Sequence, residues 1–225
     1  FVEKQGRRFH SYYLCSFVLQ ISDLFLGMHI ETHYLPSLEY MTVLLQHPTL
    51  LFEVEENFPK QTYRNRCLIL GANGVERLTV PVIHTSGLKT KSKDTKIDYS
   101  QNWMKQHQGA IQAAYGNAPY YEYFEPYLQQ IFAKKRFFLV DLNIDLLSFI
   151  YRILDVPLVY EKTQAFGVYE GKSEYDQISA KKDWKTRLIY QNRSYRQCFG
   201  TEFVPNLSIL DLLMNHGKES LTFLK

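Results

Sequence analysis

Two histidines occupy positions from which a side chain could support chemistry. His33 follows the first predicted strand, Met28–Glu31, and α/β proteins usually bind ligands at the ends of their strands. His107 lies between Trp103 and Ile111 on the apolar stripe of a predicted helix. A histidine there is either a hydrogen-bonded core residue or an acid–base catalyst, and both interpretations stay open. We predict that His107 and His33 are the catalytic residues.

A basic segment precedes the clearest hairpin of the sequence. Arg64 and Arg66 flank Asn65, so on a strand the two guanidinium groups would share one face. Arginine at the edge of a sheet can bind phosphate or carboxylate groups. We therefore predict that Lys60, Arg64, Asn65 and Arg66 bind an anionic substrate. The alternative is that the arginines form ion pairs with the glutamates of segment 53–56.

Two further segments could contribute to an anion site. Tyr34 precedes a helix that begins at about Ser37, where backbone amides and the helix dipole favour negative charge. We count Tyr34 among the substrate-binding residues. Segment 84–97 is rich in lysine and has little that could be buried, which predicts a solvated loop able to close over an anionic ligand.

The spacing of apolar and polar residues predicts the elements that position these side chains. Asn73 and Gly74 supply the positive-φ residues of a tight hairpin turn, and Asp98 with Gln101 has capping-box spacing ahead of a helix. The predicted strands are 28–31, 50–55, 66–70 and 78–82, and the predicted helices are one from Ser37, then 98–116, 120–135, 143–154 and one after Ser208. This order predicts an α/β fold, a single compact domain with an N-terminal mixed sheet and hairpin and a mainly helical second half.

Composition limits the class of protein. The chain has 225 residues, 45% hydrophobic and 22% charged, which is enough for one sizeable core. No apolar run is long enough for a membrane span, and a net charge of +3 argues against nucleic-acid binding. The three cysteines are far apart, which favours a reducing, cytoplasmic compartment, and the histidines form no metal-ligand spacing. No P-loop, GxGxxG or GxSxG motif occurs, so the sequence assigns no cofactor.

Residues 1–27 differ from the rest of the chain. The sequence begins with Phe1 rather than Met, and a basic stretch precedes an apolar run that Gln20 and Asp23 interrupt. We expect 1–27 to be an extension rather than a signal peptide, with the domain spanning 28–225. Its deletion should leave a stable protein.

Four blocks, in this order, resemble the WbqC-like family of bacterial proteins associated with O-antigen and other surface-polysaccharide biosynthesis. The Gln-Pro pair found in many members is absent from the first block. The four blocks are Ile30–Pro36 with Tyr40, Lys60–Leu70 with Asn73-Gly74 and Leu78–Val82, Trp103 and His107 through Tyr115 to Tyr121, and Phe203–Leu213.

The resemblance implies a biosynthetic pathway more firmly than it implies a particular reaction. It favours a cytoplasmic transferase acting on an activated sugar or its carrier, with an anionic substrate such as a nucleotide sugar or sugar phosphate. Trp103 and Tyr115, which belong to the third block, are then expected to contact the substrate. The alternative is a non-catalytic binding or scaffold protein of the polysaccharide assembly machinery.

Overall fold

The computed structural model describes residues 27–224, except 84–88, 168, 170, 182 and 188. The expected extension therefore lies outside the described residues, apart from Gly27. Strands β1 (Met28–Glu31), β2 (Leu50–Glu53) and β5 (Tyr160–Lys162) form a parallel sheet in the order β1-β2-β5. Met28 pairs with Leu50, and Leu50 pairs with Tyr160. Strands β1 and β2 are almost wholly buried, as near-continuous apolar runs predict for parallel strands covered on both faces.

A separate antiparallel hairpin consists of β3 (Arg66–Gly71) and β4 (Gly74–Thr79). The sequence prediction of this hairpin is confirmed, but its turn differs in one detail. Gly74 has a φ of 103°, whereas Asn73 is not among the described residues with positive φ. Glycine alone therefore supplies the unusual conformation, which is the pattern of a turn closed by a glycine bulge.

Helices make up most of the remaining core. Helix α1 begins after Ser37, whose Oγ accepts a hydrogen bond from the Tyr40 amide, and helix α5 begins after Ser208 in the same way with the Leu210 amide. Helix α5 is buried on nearly every face, so it lies at the centre of the helical half. The helices are α1 (Leu38–Leu45), α2 (Trp103–Tyr115), α3 (Tyr121–Ala133), α4 (Leu139–Leu154), α5 (Ile209–His216) and α6 (Leu221–Leu224).

Two helix boundaries differ from the sequence predictions. Helix α2 begins at Trp103 rather than after Asp98, because the Asp98 carboxylate accepts a hydrogen bond from the Ser100 amide and forms a local turn. Helix α4 begins at Leu139, four residues before the predicted start at Asn143. The α/β fold class itself is confirmed, with the parallel and antiparallel strands in two different sheets.

The described part of the lysine-rich segment is not a solvated loop. Ser92, Thr95 and Ile97 are buried, at 3%, 2% and 3% exposure. Lys91 and Lys93 both donate to the carboxylate of Glu55 at 2.5 Å. The prediction was wrong for this stretch because its small polar residues are buried and hydrogen-bonded. Burial of this kind leaves no apolar pattern in the sequence from which it could be predicted.

Candidate functional site

Buried charged groups gather at the carboxyl edge of the parallel sheet. Because β1 and β2 run parallel and in register from Met28 and Leu50, the residues that follow both strands meet at the same edge. We call the four that contact one another the Glu–His–Arg cluster. Its members are Glu31, His33, Glu56 and Arg64, with exposures of 1%, 3%, 2% and 3%.

Arg64 is held by carboxylates of this protein. Its Nε donates to Glu56 Oε1 at 2.6 Å and its Nη2 to Glu56 Oε2 at 2.9 Å, which is a bidentate pair. Its Nη1 lies 3.7 Å from Glu31 Oε1. Asn143 on α4 donates to the Arg64 carbonyl at 2.8 Å. The alternative stated for the sequence, an ion pair with the glutamates of segment 53–56, therefore describes Arg64.

Glu31 and His33 form the second pair of the cluster. His33 Nε2 lies 3.1 Å from Glu31 Oε1. Burial would raise the pKa of Glu31, but the hydrogen bond from His33 and the charges of His33 and Arg64 outweigh burial and lower this pKa to about 2. Burial lowers the pKa of His33, although Glu31 opposes that shift. The pair therefore consists of an ionised carboxylate and a neutral imidazole at neutral pH.

The tautomer of His33 follows from this pair. An ionised carboxylate can only accept, so Nε2 carries the proton and Nδ1 keeps a lone pair. Nδ1 is buried and has no hydrogen-bond partner in the described part of the chain. The imidazole stacks on the Tyr40 ring, with 4.1 Å between the ring centroids, and its centroid lies 5.7 Å from that of the Tyr63 ring. This arrangement presents a basic nitrogen that is oriented by a carboxylate.

Residues 173–178, which we call the strap, cover the cluster. The Tyr175 hydroxyl donates to Glu56, and the Asp176 amide donates to Glu31 Oε2 at 2.9 Å. Ser173 forms a bridge to His29, and the Glu174 amide donates to the His29 carbonyl at 3.0 Å. The side chain of His33, whose partner Glu31 contacts the strap, is fully buried.

A second histidine–carboxylate pair lies beside the cluster. His29 Nε2 is 3.0 Å from Glu53 Oε2, and its Nδ1 is 3.0 Å from the Ser173 hydroxyl. The sequence assigned no role to His29 or Glu31, and it offered Glu56 only as an alternative ion-pair partner of the arginines. A signal was present, because residues 29, 31 and 33 alternate along β1 and its extension, and such alternation places side chains on one face.

Arg66 lies apart from Arg64, at a small pocket with a cavity volume of about 10 Å³, which we call the Arg66 pocket. The pocket is lined by Leu35, Pro36, Ser37, Tyr63, Arg66, Cys67, Leu68, Asn206 and Ser208. Helices α1 and α5 begin here side by side, and Ser37 and Ser208 form an antiparallel bridge. Their first amides have protein acceptors: the Glu39 amide donates to Asn206 Oδ1 at 2.9 Å, and the Ile209 amide donates to the Pro36 carbonyl at 2.7 Å.

His107 belongs to another environment. Its Nδ1 is 2.8 Å from the Tyr34 hydroxyl, and its ring packs edge-on to Trp103 at 5.1 Å. Burial lowers the pKa of His107 to about 4, although a hydrogen bond to the Thr79 backbone opposes this shift. Tyr34 and His107 are thus hydrogen-bonded to each other within the core.

The other predicted site residues are dispersed. Trp103 and Tyr115 are buried on α2, at 2% and 0% exposure. Asn65 donates to the Val80 carbonyl at 2.8 Å, which fastens the base of the hairpin. Lys60 is exposed. The structure thus places His33 and Arg64 in one cluster and Arg66 in a pocket, with Tyr63 contacting His33 and also lining that pocket.

The described residues contain no group of three or more His, Cys, Asp or Glu side chains arranged to hold a metal ion. No helix among them combines the length and the apolar character that crossing a bilayer requires.

The fold and the site together define an α/β protein with a buried acid–base cluster at the carboxyl edge of a small parallel sheet. Residues 32–186 and 180–223 match the WbqC-like protein family, and the chain belongs to that family. It is 24% identical to the uncharacterized protein Rv1507c of Mycobacterium tuberculosis (strain ATCC 25618 / H37Rv), over 87% of this chain and 96% of the relative. No solved structure matches the chain significantly.

Proposed function

We propose that the protein is a cytoplasmic transferase that acts on an activated sugar or its carrier in surface-polysaccharide synthesis, with His33 as the group that accepts a proton. One observation carries the catalytic part of this proposal. His33 has one nitrogen fixed by an ionised carboxylate and the other nitrogen buried without a described partner. The pathway part comes from the family's association with polysaccharide genes.

The chemistry follows from the charge states of the cluster. Neutral His33 accepts a proton at Nδ1 from a hydroxyl or amine of the acceptor molecule. The acceptor atom forms a bond to the transferred group as the bond to the leaving group breaks, and the leaving group departs with that electron pair. Glu31 stabilises the imidazolium that forms, and Arg64 keeps Glu31 ionised. Arg64 is a positioning residue in this scheme because Glu56 occupies it.

The strap sets a requirement for this reaction. The His33 side chain is fully buried, and the strap is hydrogen-bonded to Glu31 and Glu56 beside it. We infer that the strap moves to admit substrate, so that Nδ1 can meet an acceptor group. Lid movements of this kind exclude water from many active sites and often limit turnover.

Mass spectrometry of purified full-length protein incubated with nucleotide sugars and acyl donors tests the proposal. We expect His33→Ala to abolish turnover while circular dichroism shows a folded protein. His47→Ala, at a partly exposed position away from the cluster, is the matched control and should keep turnover. Turnover that survives in both His33→Ala and His107→Ala removes the catalytic assignment of these two histidines.

A non-catalytic binding or scaffold role is the second candidate, and one observation favours it. Two of the groups predicted to act on substrate are engaged within the protein, Arg64 with Glu56 and His107 with Tyr34. A binding protein would retain nucleotide sugars in equilibrium dialysis without converting them. Stable retention with no product from any donor supports this role over the transferase.

A further inference from the structure

The hairpin carries two arginines on one face. Arg66 pairs with Thr79 and Leu68 pairs with Arg77, so Arg66 and Arg77 are diagonal neighbours across the strands. Diagonal neighbours on one face lie roughly 7–8 Å apart, within reach of long side chains. Leu68 lines the Arg66 pocket, and Arg77 is therefore beside the pocket rather than remote from it.

These two cations have no anionic partner in the described part of the chain. Neither guanidinium has an ion pair or hydrogen bond there, and the Nε of Arg66 is buried without an acceptor. Glu76 pairs with Ile69, and this register places it on the opposite face of the hairpin. Glu39, the acid nearest in sequence to Ser37, is already held by Arg187 through two hydrogen bonds of 2.6 Å.

Repulsion between the positive charges of Arg66 and Arg77 is unfavourable unless an anion binds between them. Burial lowers the pKa of Arg66, and the positive charge of Arg77 lowers it further. Two like charges on one face of a hairpin destabilise it, whereas an anion between them is attracted by both. The Tyr63 hydroxyl also makes no hydrogen bond to a described residue and lines the same pocket.

We propose that Arg66 and Arg77, with the Tyr63 hydroxyl, form a binding site for a phosphoryl group on the face of the hairpin, at the mouth of the Arg66 pocket, because the pocket itself has room for about one water molecule. The site takes the phosphate or diphosphate of a nucleotide sugar or sugar phosphate, and in this respect the inference rests on the proposed function. Arg64 is not part of the site because Glu56 holds it. Tyr63 lies between the bound phosphoryl group and His33, so the anion would be anchored next to the acid–base cluster.

Isothermal titration calorimetry with inorganic pyrophosphate and with UDP tests the site, and uridine serves as the ligand without phosphate. The wild-type protein should bind pyrophosphate and UDP but not uridine. We expect Arg66→Ala to weaken pyrophosphate binding about tenfold or more, and Arg77→Ala to weaken it about threefold to fivefold because Arg77 is exposed. Arg152→Ala, which removes an exposed arginine from α4, is the control for lost net charge and should bind as the wild type does.

Three outcomes would overturn the site: no binding of pyrophosphate or UDP to the wild type, unchanged binding in Arg66→Ala, or an equal loss in Arg152→Ala. Because Arg77 is exposed, Arg77→Ala should fold as the wild type does, and that variant keeps the test decisive. His33→Ala separates this inference from the proposed function. Pyrophosphate binding that persists in His33→Ala without turnover in any form of the protein supports the phosphoryl site and contradicts the transferase.

Discussion

At the scale of single residues, environment rather than residue type separates the candidate groups. His33 and His107 are both buried histidines, yet His33 faces a carboxylate and His107 faces a tyrosine hydroxyl. Arg64 and Arg66 are two residues apart, yet Arg64 has a bidentate partner and Arg66 has none among the described residues. Residues of the same type therefore have different chemical capacities.

Glu31→Gln should reduce stability in a pH-dependent way. The pKa of Glu31 is lowered from 4.5 to about 2 in the folded protein, so its ionised form stabilises the fold above pH 4.5, and this contribution is lost as pH falls towards 2. A shift of this size corresponds to roughly 3 kcal/mol at pH 7 and less than half of that at pH 3. Urea unfolding of both proteins at the two pH values measures the difference.

The exposed Glu76 on β4 provides the control for this substitution. Glu76→Gln should change the free energy of unfolding by no more than about 0.5 kcal/mol at either pH. If Glu31→Gln costs the same free energy at pH 3 as at pH 7, Glu31 is not ionised in the cluster. The assignment of the His33 tautomer would then fail as well.

The places of His33 and Arg66 along the predicted strands could be predicted from the sequence, but the long-range contacts around the cluster could not. His33 follows a strand and Arg66 starts one, and both facts are local. Glu56 and Tyr175 meet although 119 residues separate them. Spacing along the chain carries no signal for such a contact.

At the scale of elements, the sequence predicted the helices and strands that have a regular apolar pattern or a clear cap or turn signal. It did not predict the structure of segments that lack such a pattern. The hairpin and helices α1 and α5 have clear turn or cap signals, and their predicted boundaries hold to within a few residues. Segment 155–205 has mostly irregular structure, and its order comes from hydrogen bonds to distant strands. The strap belongs to this segment, which explains why the covering of the cluster was not predicted.

Tyr175→Phe should loosen the strap without unfolding the protein. The substitution removes the hydroxyl that donates to Glu56, while the backbone bonds of Glu174 and Asp176 remain. Loss of one partly exposed hydrogen bond changes local stability by about 1 kcal/mol, which predicts roughly fivefold faster amide hydrogen exchange. Hydrogen–deuterium exchange with mass spectrometry should detect this change in peptides that cover 173–178.

Tyr99→Phe is the matched control, because the Tyr99 hydroxyl donates to the Arg136 carbonyl far from the strap in sequence. Exchange in 173–178 should be unchanged in that variant. Faster exchange across the whole chain in Tyr175→Phe would mean that this tyrosine supports the global fold. Unchanged exchange in 173–178 would contradict the view that the hydroxyl fastens the strap.

At the scale of the whole molecule, the fold keeps the buried His33 and His107 neutral, so at these two positions it binds fewer protons than the unfolded chain in mild acid. His33 and His107 both have lowered pKa values because they are buried. Since the unfolded chain protonates each histidine near pH 6.5, protons favour unfolding below that pH. Glu31 adds a further loss at lower pH, below 4.5, so the two effects occupy different ranges.

The protein should therefore lose stability between pH 7.5 and pH 5, and His107 should account for a defined part of the loss. With a folded pKa of about 4 against 6.5 unfolded, His107 contributes a decrease of about 2 kcal/mol over this range.

His107→Gln keeps a polar side chain that can bond to Tyr34 but does not titrate. At pH 7.5 the free energy of unfolding of this variant should be lower than that of the wild type. It should also depend less on pH, because glutamine does not titrate and the folded state no longer excludes a proton from this position. Urea denaturation at half-unit steps measures both slopes, and His47→Gln, at the partly exposed end of α1, should change the slope less. Equal slopes for wild type and His107→Gln would show that the interior admits a charged histidine, and burial of the α2 face would then not be what sets the pKa of His107.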